Sequence, residues 1–126
     1  MIVGIGVDIE SIGRFSRAIE RHGDRFLQKI FTREEIAYCR RQGRCEQHFA
    51  VRFAAKEAVL KALRYGPGGG SLKEIEVIRG EHGEPHIRLA GDMLALATKR
   101  RISRIHISLS HADTHCVAQA VAEEDG

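Results

Sequence analysis

Residues 49–63 constrain the fold of this chain more than any other stretch. The segment reads Phe-Ala-Val-Arg-Phe-Ala-Ala-Lys-Glu-Ala-Val-Leu-Lys-Ala-Leu, with no Gly, no Pro and five Ala, so its helix propensity is high. Its apolar residues fall on nearly every side of the helical turn. This pattern predicts a central helix that is buried on most of its faces and around which the other elements pack.

Charged residues interrupt this apolar helix. A charged side chain in such a setting costs free energy unless it is paired or bound to a charged group. Glu57 and Lys61 are four residues apart, so their side chains project from the same face. They suit either a surface ion pair contributing about 0.3–0.5 kcal/mol or a site for a charged ligand. Arg52 and Lys56 are the other two charges.

The chain begins with a predicted strand, residues 2–9, rich in Ile and Val. Gly4 and Gly6 weaken this strand and can mark a place where another backbone or a ligand comes close. Asp8 lies at its end and is followed by Glu10. Asp8 either caps the next helix or ligates a hard cation, since Mg²⁺ typically takes one or two carboxylates plus substrate phosphates.

A helix is predicted from the N-cap Ser11 to about His22, with Gly23 as its stop. At about 100° per residue, four arginines occupy one narrow arc of this segment, opposite its apolar residues. Such a stripe is either a solvated face or a docking surface for an acidic protein or nucleic acid. No aromatic residues interleave with it, so base stacking is not provided for. The stripe consists of Arg14, Arg17, Arg21 and Arg25.

The remaining elements follow from local signals. Thr32-x-x-Glu35 is a capping box that predicts a short helix to Arg41. The Gly-rich segment 64–71 carries no nucleotide-binding fingerprint and is predicted to be a mobile connector. The later pattern predicts a hairpin of strands 74–79 and 85–89, a helix 91–101, and two strands at 104–110 and 116–122.

Ser110 ends the first of these two strands, and His111 follows it in the predicted turn. A histidine in a hairpin loop is often simply exposed, but Ser-x-Ser-His also offers two hydroxyls and an imidazole to a bound anion. His115 lies four residues further on. A zinc site at these histidines is not predicted, because no third ligand has suitable spacing.

Composition narrows the function classes. The net charge of +3 is uneven: residues 1–64 carry +5 and residues 65–126 carry −2, which favours an acidic partner. The N-terminus lacks the basic region of a secretory signal, and no apolar run approaches the ~20 residues that span a bilayer. The three cysteines form no CxxC. A reduced, cytoplasmic protein without membrane association is therefore predicted.

Three motifs in order make the pattern specific. They are Gly-x-Gly-Val-Asp-Ile-Glu at the start, Arg-Phe-Ala-Ala-Lys-Glu-Ala-Val-Leu-Lys-Ala-Leu in the middle, and Ser-Leu-Ser-His near the end. With the capping-box helix Phe-Thr-x-x-Glu-x-x-Tyr-Cys, this chain resembles the holo-acyl-carrier-protein synthase family of phosphopantetheinyl transferases over essentially its whole length.

The resemblance implies a fold and an activity. The fold is α/β (α+β), one domain over residues 1–126, with an antiparallel sheet packed against a long central helix. The activity is Mg²⁺-dependent transfer of 4′-phosphopantetheine from coenzyme A to a serine of apo acyl carrier protein, for fatty acid biosynthesis. Adenosine 3′,5′-bisphosphate is released. The resemblance also implies a homotrimer with active sites between adjacent subunits.

Site residues carried over from the family are predictions as well. The magnesium ligands fall on Asp8 and Glu57, and the catalytic lysine on Lys61. Coenzyme A contacts fall on Lys61, Ser110, His111 and Gly66. The carrier-binding face falls on Arg14, Arg17, Arg21 and Arg25. Glu57 is the predicted base for the carrier serine, directly or through water.

Two rival classes account for part of the sequence. A small basic RNA-binding domain explains the arginine stripe but not Asp8, Glu57 and the strand that ends in His111. A non-catalytic assembly module would be trimeric but indifferent to coenzyme A. Thermal melts separate these classes, since coenzyme A with Mg²⁺ stabilises only the enzyme.

Overall fold

The computed structural model describes residues 1–65 and 70–125. Gly66, a predicted coenzyme A contact, lies outside these residues. The elements in the described ranges are, in order, β1 (Ile2–Ser11), α1 (Ile12–Ile30), α2 (Arg33–Arg40), α3 (Cys45–Ala62), a 3₁₀ turn (Leu72–Glu74), β2 (Ile75–Arg79), β3 (Pro85–Leu89), α4 (Gly91–Lys99), β4 (Arg104–His111) and β5 (His115–Glu123). None of the helices formed by these residues is long and apolar enough to cross a bilayer.

The central helix α3 packs across an antiparallel sheet. This sheet has the strand order β1-β5-β4, and β2 and β3 form a separate antiparallel pair. On β5, every second residue faces α3 and is small and fully buried. Small side chains let the helix approach the sheet closely. These residues are Cys116, Ala118, Ala120 and Ala122.

Gly4 and Gly6 of β1 let the backbone of this strand approach the backbone of α3 closely. A Cβ atom added to Gly6 would overlap the carbonyl oxygen of Ala58, and one added to Gly4 would overlap the carbonyl oxygen of Ala62. Backbone therefore lies on backbone where β1 crosses α3. The sequence predicted a close approach at these glycines, and the structure identifies the partner as the central helix.

A buried ion pair ties α3 to its surroundings. The Lys56 side chain is fully buried, and its Nζ donates to Glu35 Oε1 at 2.7 Å and to the carbonyl oxygens of Leu72 and Ile75 at 2.9 and 2.7 Å. Glu35 also accepts from the backbone N–H groups of Thr32 and Val77. The capping box predicted from the sequence is present, and its glutamate additionally anchors the central helix.

Lys56→Met is expected to destabilise the protein by about 3–5 kcal/mol, because it leaves the Glu35 carboxylate buried without its counter-charge. Urea denaturation measures the loss. Lys99→Met is the matched control, since this lysine lies on the exposed side of α4 and forms no ion pair in the described ranges. Equal stability losses in the two variants would contradict the structural role of Lys56.

The helix break predicted at Gly23 is present, but the sequence did not predict the second helical segment that follows it. Gly23 has φ 66° and ψ −153°, a conformation that kinks the helix, but helical structure resumes and continues to Ile30. Phe26, beyond the kink, packs on Phe15 with ring centroids 5.6 Å apart. Burial of this second segment against the core outweighs the local break. The central helix likewise begins at Cys45, four residues before the segment that the sequence singled out.

Candidate active site

Three predicted residues meet where α3 crosses β1. Asp8 projects from β1 toward α3, and Lys61 reaches the strand from the last turn of the helix. The Lys61 ammonium donates to the Val7 carbonyl oxygen at 2.8 Å and lies 3.7 Å from Asp8 Oδ1. Glu57 lies one helical turn before Lys61, close enough for the Asp8 charge to raise its pKa. The two acids that the sequence placed 49 residues apart are therefore neighbours.

Within the acid cluster, the pKa values of both glutamates, Glu57 and Glu10, are raised. Burial, and then the Asp8 carboxylate, raise the pKa of Glu57, with Lys61 acting in the opposite direction. Burial, the adjoining Asp8 carboxylate and the charge of Glu57 raise the pKa of Glu10 to about 8, against the opposing charge of Arg14. Three carboxyl groups thus lie together in a partly buried cluster, where ionising them is costly and a cation would stabilise the ionised forms.

The donor set fits a hard cation that binds with its substrate. Asp8 Oδ2 is buried and has no hydrogen-bond partner within the described part of the chain. An unpaired buried carboxylate oxygen is costly, and a metal ion satisfies it. Over residues 1–65 and 70–125, no group of three His, Cys, Asp or Glu side chains is arranged to hold a metal by itself. Mg²⁺ typically takes one or two protein carboxylates and completes its shell with water and phosphate oxygens, so Asp8 and Glu57 are the candidate ligands.

Ser110 and His111 are not part of this acid cluster within one chain. Both lie at the end of β4, on the far side of β5 from β1. His111 Nε2 is 3.1 Å from Gln47 Nε2 in the first turn of α3. Glu57 is ten residues further along that helix, about 15 Å at 1.5 Å per residue. The sequence did not reveal that these predicted ligands would occupy opposite edges of one sheet.

The surroundings of His111 form a basic pocket of about 230 Å³. Its floor is the Tyr38 ring, with the Arg52 guanidinium 4.3 Å from the ring centroid and that of Arg79 at 5.2 Å. Arg79 also donates to the Tyr38 hydroxyl. Burial, followed by the charges of Arg52, His111 and Arg79, lowers the pKa of His48. Such a positive cavity suits an anion.

Sequence reasoning missed this pocket, which gathers residues from α2, α3, the hairpin and β4. Ser110 and His111 were predicted to contact an anion, but among the other lining residues only Arg52, an arginine within an apolar helix, gave a local signal. Arg52 is buried, and it forms no ion pair in the described ranges.

The predicted arginine face of α1 is exposed and adjoins the acid cluster. Arg14 is near enough to Glu10 to lower its pKa. Arg14, Arg17 and Arg21 form no ion pairs in the part of the chain described, so their charge is available to a partner. Arg25 is exposed too, but it follows the kink at Gly23, so helical spacing does not align it with the other three.

The sheet carries an apolar stripe on the face turned away from α3. Ile5, Val7 and Ile9 of β1 are 65%, 56% and 66% exposed. Register places Val121 and Val117 of β5 beside the first and last of them. A continuous exposed apolar strand is typical of an interface.

Comparison with known proteins agrees with this geometry. The sequence-family model of the 4′-phosphopantetheinyl transferase superfamily matches residues 4–120 of this chain. The chain is 43% identical over 124 residues to a holo-[acyl-carrier-protein] synthase of Geobacter sulfurreducens, covering 98% of each. The crystal structure of holo-[acyl-carrier-protein] synthase from Neisseria meningitidis has a TM-score of 0.89 at 35% identity, covering 98% of this chain and 100% of that one. A holo-(acyl-carrier-protein) synthase from Bacillus anthracis in complex with CoA (3′,5′-ADP) has a TM-score of 0.80 at 32% identity, covering 99% of each.

The chain belongs to the 4′-phosphopantetheinyl transferase superfamily. Within it, the chain is similar over its full length to the holo-[acyl-carrier-protein] synthases. The family predicted from the three sequence motifs is confirmed, and so is the predicted α/β (α+β) fold with an antiparallel sheet packed against a long helix.

Proposed function

We propose that this protein is a holo-[acyl-carrier-protein] synthase that transfers 4′-phosphopantetheine from coenzyme A to a serine of apo acyl carrier protein, using Mg²⁺. The observation that carries the proposal is the meeting of Asp8, Glu57 and Lys61 at the crossing of β1 and α3. Two acids with a lysine one turn away provide both signs of charge that a metal-assisted phosphoryl transfer requires.

Each residue has a distinct role in this proposal. Asp8 and Glu57 would hold Mg²⁺, which neutralises charge on the diphosphate of coenzyme A. Lys61 binds the same phosphate oxygens as a point charge. Glu57 accepts the proton of the carrier serine, directly or through water. The serine oxygen forms a bond to the phosphorus of the pantetheine-bearing phosphate, and the bond between the two phosphates breaks. Adenosine 3′,5′-bisphosphate leaves.

We infer that the working unit is a homotrimer with sites shared between subunits. His111 and its basic pocket lie at the sheet edge opposite to Asp8, with β5 between them. The exposed apolar stripe of β1 lies beside the acid cluster and offers an interface. A neighbouring subunit docked there would bring its own basic pocket, with Ser110 and His111, to the phosphate of coenzyme A that is not part of the diphosphate.

Mixed assemblies test the shared site. Glu57→Gln and His111→Ala subunits are each expected to have little activity alone. Co-expressed, they form some sites that combine Glu57 from one subunit with His111 from its neighbour, so activity rises above that of either parent. Activity equal to the average of the two parents would contradict a shared site. Co-expression of either variant with itself is the control.

The arginine face of α1 is proposed to bind the acidic carrier protein next to the acid cluster. Arg14→Glu with Arg21→Glu is expected to raise the KM for carrier protein about tenfold or more and to flatten its salt dependence. The KM for coenzyme A stays unchanged. Lys99→Glu with Arg101→Glu, an equal charge change on and after α4, is the matched control. An equal rise in the KM for coenzyme A would assign the helix to the nucleotide instead.

Mass spectrometry of carrier protein tests the reaction itself. Incubation with this protein, coenzyme A and Mg²⁺ is expected to add one phosphopantetheine group to apo carrier, and a chelator is expected to stop the addition. Unmodified carrier under all conditions would refute the proposal.

Because Cys39 and Cys116 are buried free thiols, we also propose a reducing, cytoplasmic location.

A further inference from the structure

Lys61 holds a position that its proposed catalytic role does not require. Its ammonium donates to the carbonyl oxygen of Val7 at 2.8 Å and lies 3.7 Å from Asp8 Oδ1. Among the residues that the structure describes, Lys61 is the one ion-pair partner of Asp8. The lysine therefore already serves as a counter-charge to the acid cluster before any ligand is present.

Two demands on these residues conflict. The proposed function requires Lys61 on the phosphates of coenzyme A and Asp8 on the cation. An ammonium beside Asp8 repels a divalent cation that approaches the same carboxylate. The Lys61 side chain is 56% exposed and carries a flexible stem, whereas that of Asp8 is 14% exposed and held by the strand. Of the two, the lysine is the group that is free to move.

We propose that Lys61 and the divalent cation exchange at Asp8. The cation replaces the ammonium as the counter-charge of the acid cluster, and its repulsion releases Lys61 from the Val7 carbonyl oxygen. The released ammonium then turns outward to the diphosphate, one helical turn from Glu57. Cation binding in this way delivers the lysine to the substrate. This inference rests on the proposed function and adds an order to its steps.

The exchange predicts that Lys61 and the cation compete for the same place beside Asp8. A lysine that only contacts phosphate would not compete with the cation. If Lys61 occupies the place of the cation, its removal eases cation binding in the absence of coenzyme A. If Lys61 only contacts phosphate, its removal leaves cation binding unchanged until coenzyme A is added. Tighter cation binding without Lys61 shows that the ammonium opposes the cation, and the accessibility of Lys61 with and without the cation shows whether it is displaced.

Calorimetric titration of Mg²⁺ into the coenzyme A-free protein tests the exchange. Lys61→Met is expected to bind Mg²⁺ about three- to tenfold more tightly than wild type, because it removes a like charge close to the ion. Lys61→Arg keeps the charge and is expected to bind like wild type. Lys99→Met, an exposed lysine on α4, controls for net charge. Unchanged or weaker binding by Lys61→Met overturns the inference, as does a lack of measurable binding by both proteins.

Chemical acetylation with mass spectrometry gives a second reading on the wild-type protein. Mg²⁺ is expected to accelerate acetylation of Lys61, freed from its hydrogen bond, and to leave the rate at Lys99 unchanged. Equal rates at Lys61 with and without Mg²⁺ contradict the exchange. Transfer of phosphopantetheine by the same wild-type protein is measured separately, so a failed exchange with intact transfer leaves the proposed function standing.

Discussion

Replacing Glu57 by glutamine is expected to lower phosphopantetheine transfer by about 10³-fold or more while the protein stays folded. The substitution keeps the shape of the side chain but removes the charge that would hold the cation and the group that accepts the serine proton. It also removes the repulsion between the carboxylates of Glu57 and Asp8. Without Mg²⁺, the variant is therefore expected to melt slightly higher than wild type, and to gain less when Mg²⁺ is added.

Mass spectrometry of the carrier protein measures the rate of phosphopantetheine transfer. Thermal melts with and without Mg²⁺ measure how much Mg²⁺ stabilises each protein. Glu81→Gln, an exposed acid in the hairpin turn, is the control and is expected to behave like wild type in both. Transfer near the wild-type rate in Glu57→Gln would remove this residue from the mechanism. A loss of activity accompanied by unfolding would assign it a structural role.

Gly6→Ala is expected to be among the most damaging single changes outside the acid cluster, with a loss of about 3 kcal/mol or more in the free energy of unfolding. The added Cβ would overlap the Ala58 carbonyl oxygen and lie 2.9 Å from the Ala62 amide nitrogen. Both atoms belong to the helix backbone, so no side-chain rotation relieves the contact. To accommodate it, α3 must move away from β1, which separates Glu57 from Asp8.

Urea denaturation or, for a protein that no longer folds, the yield of folded protein measures this effect. Gly43→Ala is the matched control, because nothing lies within 4 Å of its added Cβ and its φ is not in the left-handed region. We expect its stability to stay close to that of wild type. A Gly6→Ala protein as stable as Gly43→Ala would show that the helix and strand are not in backbone contact.

The central helix and the acids were predictable because their signals are local or because they belong to distinctive motifs. An Ala-rich segment without Gly or Pro has one plausible secondary structure. A strand with the pattern Gly-x-Gly before Asp8 predicts a close approach, although the structure was needed to identify α3 as the partner. The family resemblance supplied the pairing of Asp8 with Glu57, which sequence spacing alone left open.

Other features depend on contacts between distant segments, so the sequence could not reveal them. The continuation of α1 past Gly23 comes from the packing of Phe26 on Phe15, which outweighs a local stop signal. The sequence did not show which charges of the central helix are internal, but Lys56 is buried against Glu35 and Lys61 is exposed at the site. The basic pocket around His111 exists only once α2, α3, the hairpin and β4 are in place.

Anomalous diffraction from crystals grown with coenzyme A and Mn²⁺ in place of Mg²⁺ tests the central claim most directly. We predict one strong peak within coordination distance of both the Asp8 and Glu57 carboxylates and of the coenzyme A diphosphate. A peak elsewhere on the protein, or bound coenzyme A with no ion between these two acids, would contradict the account.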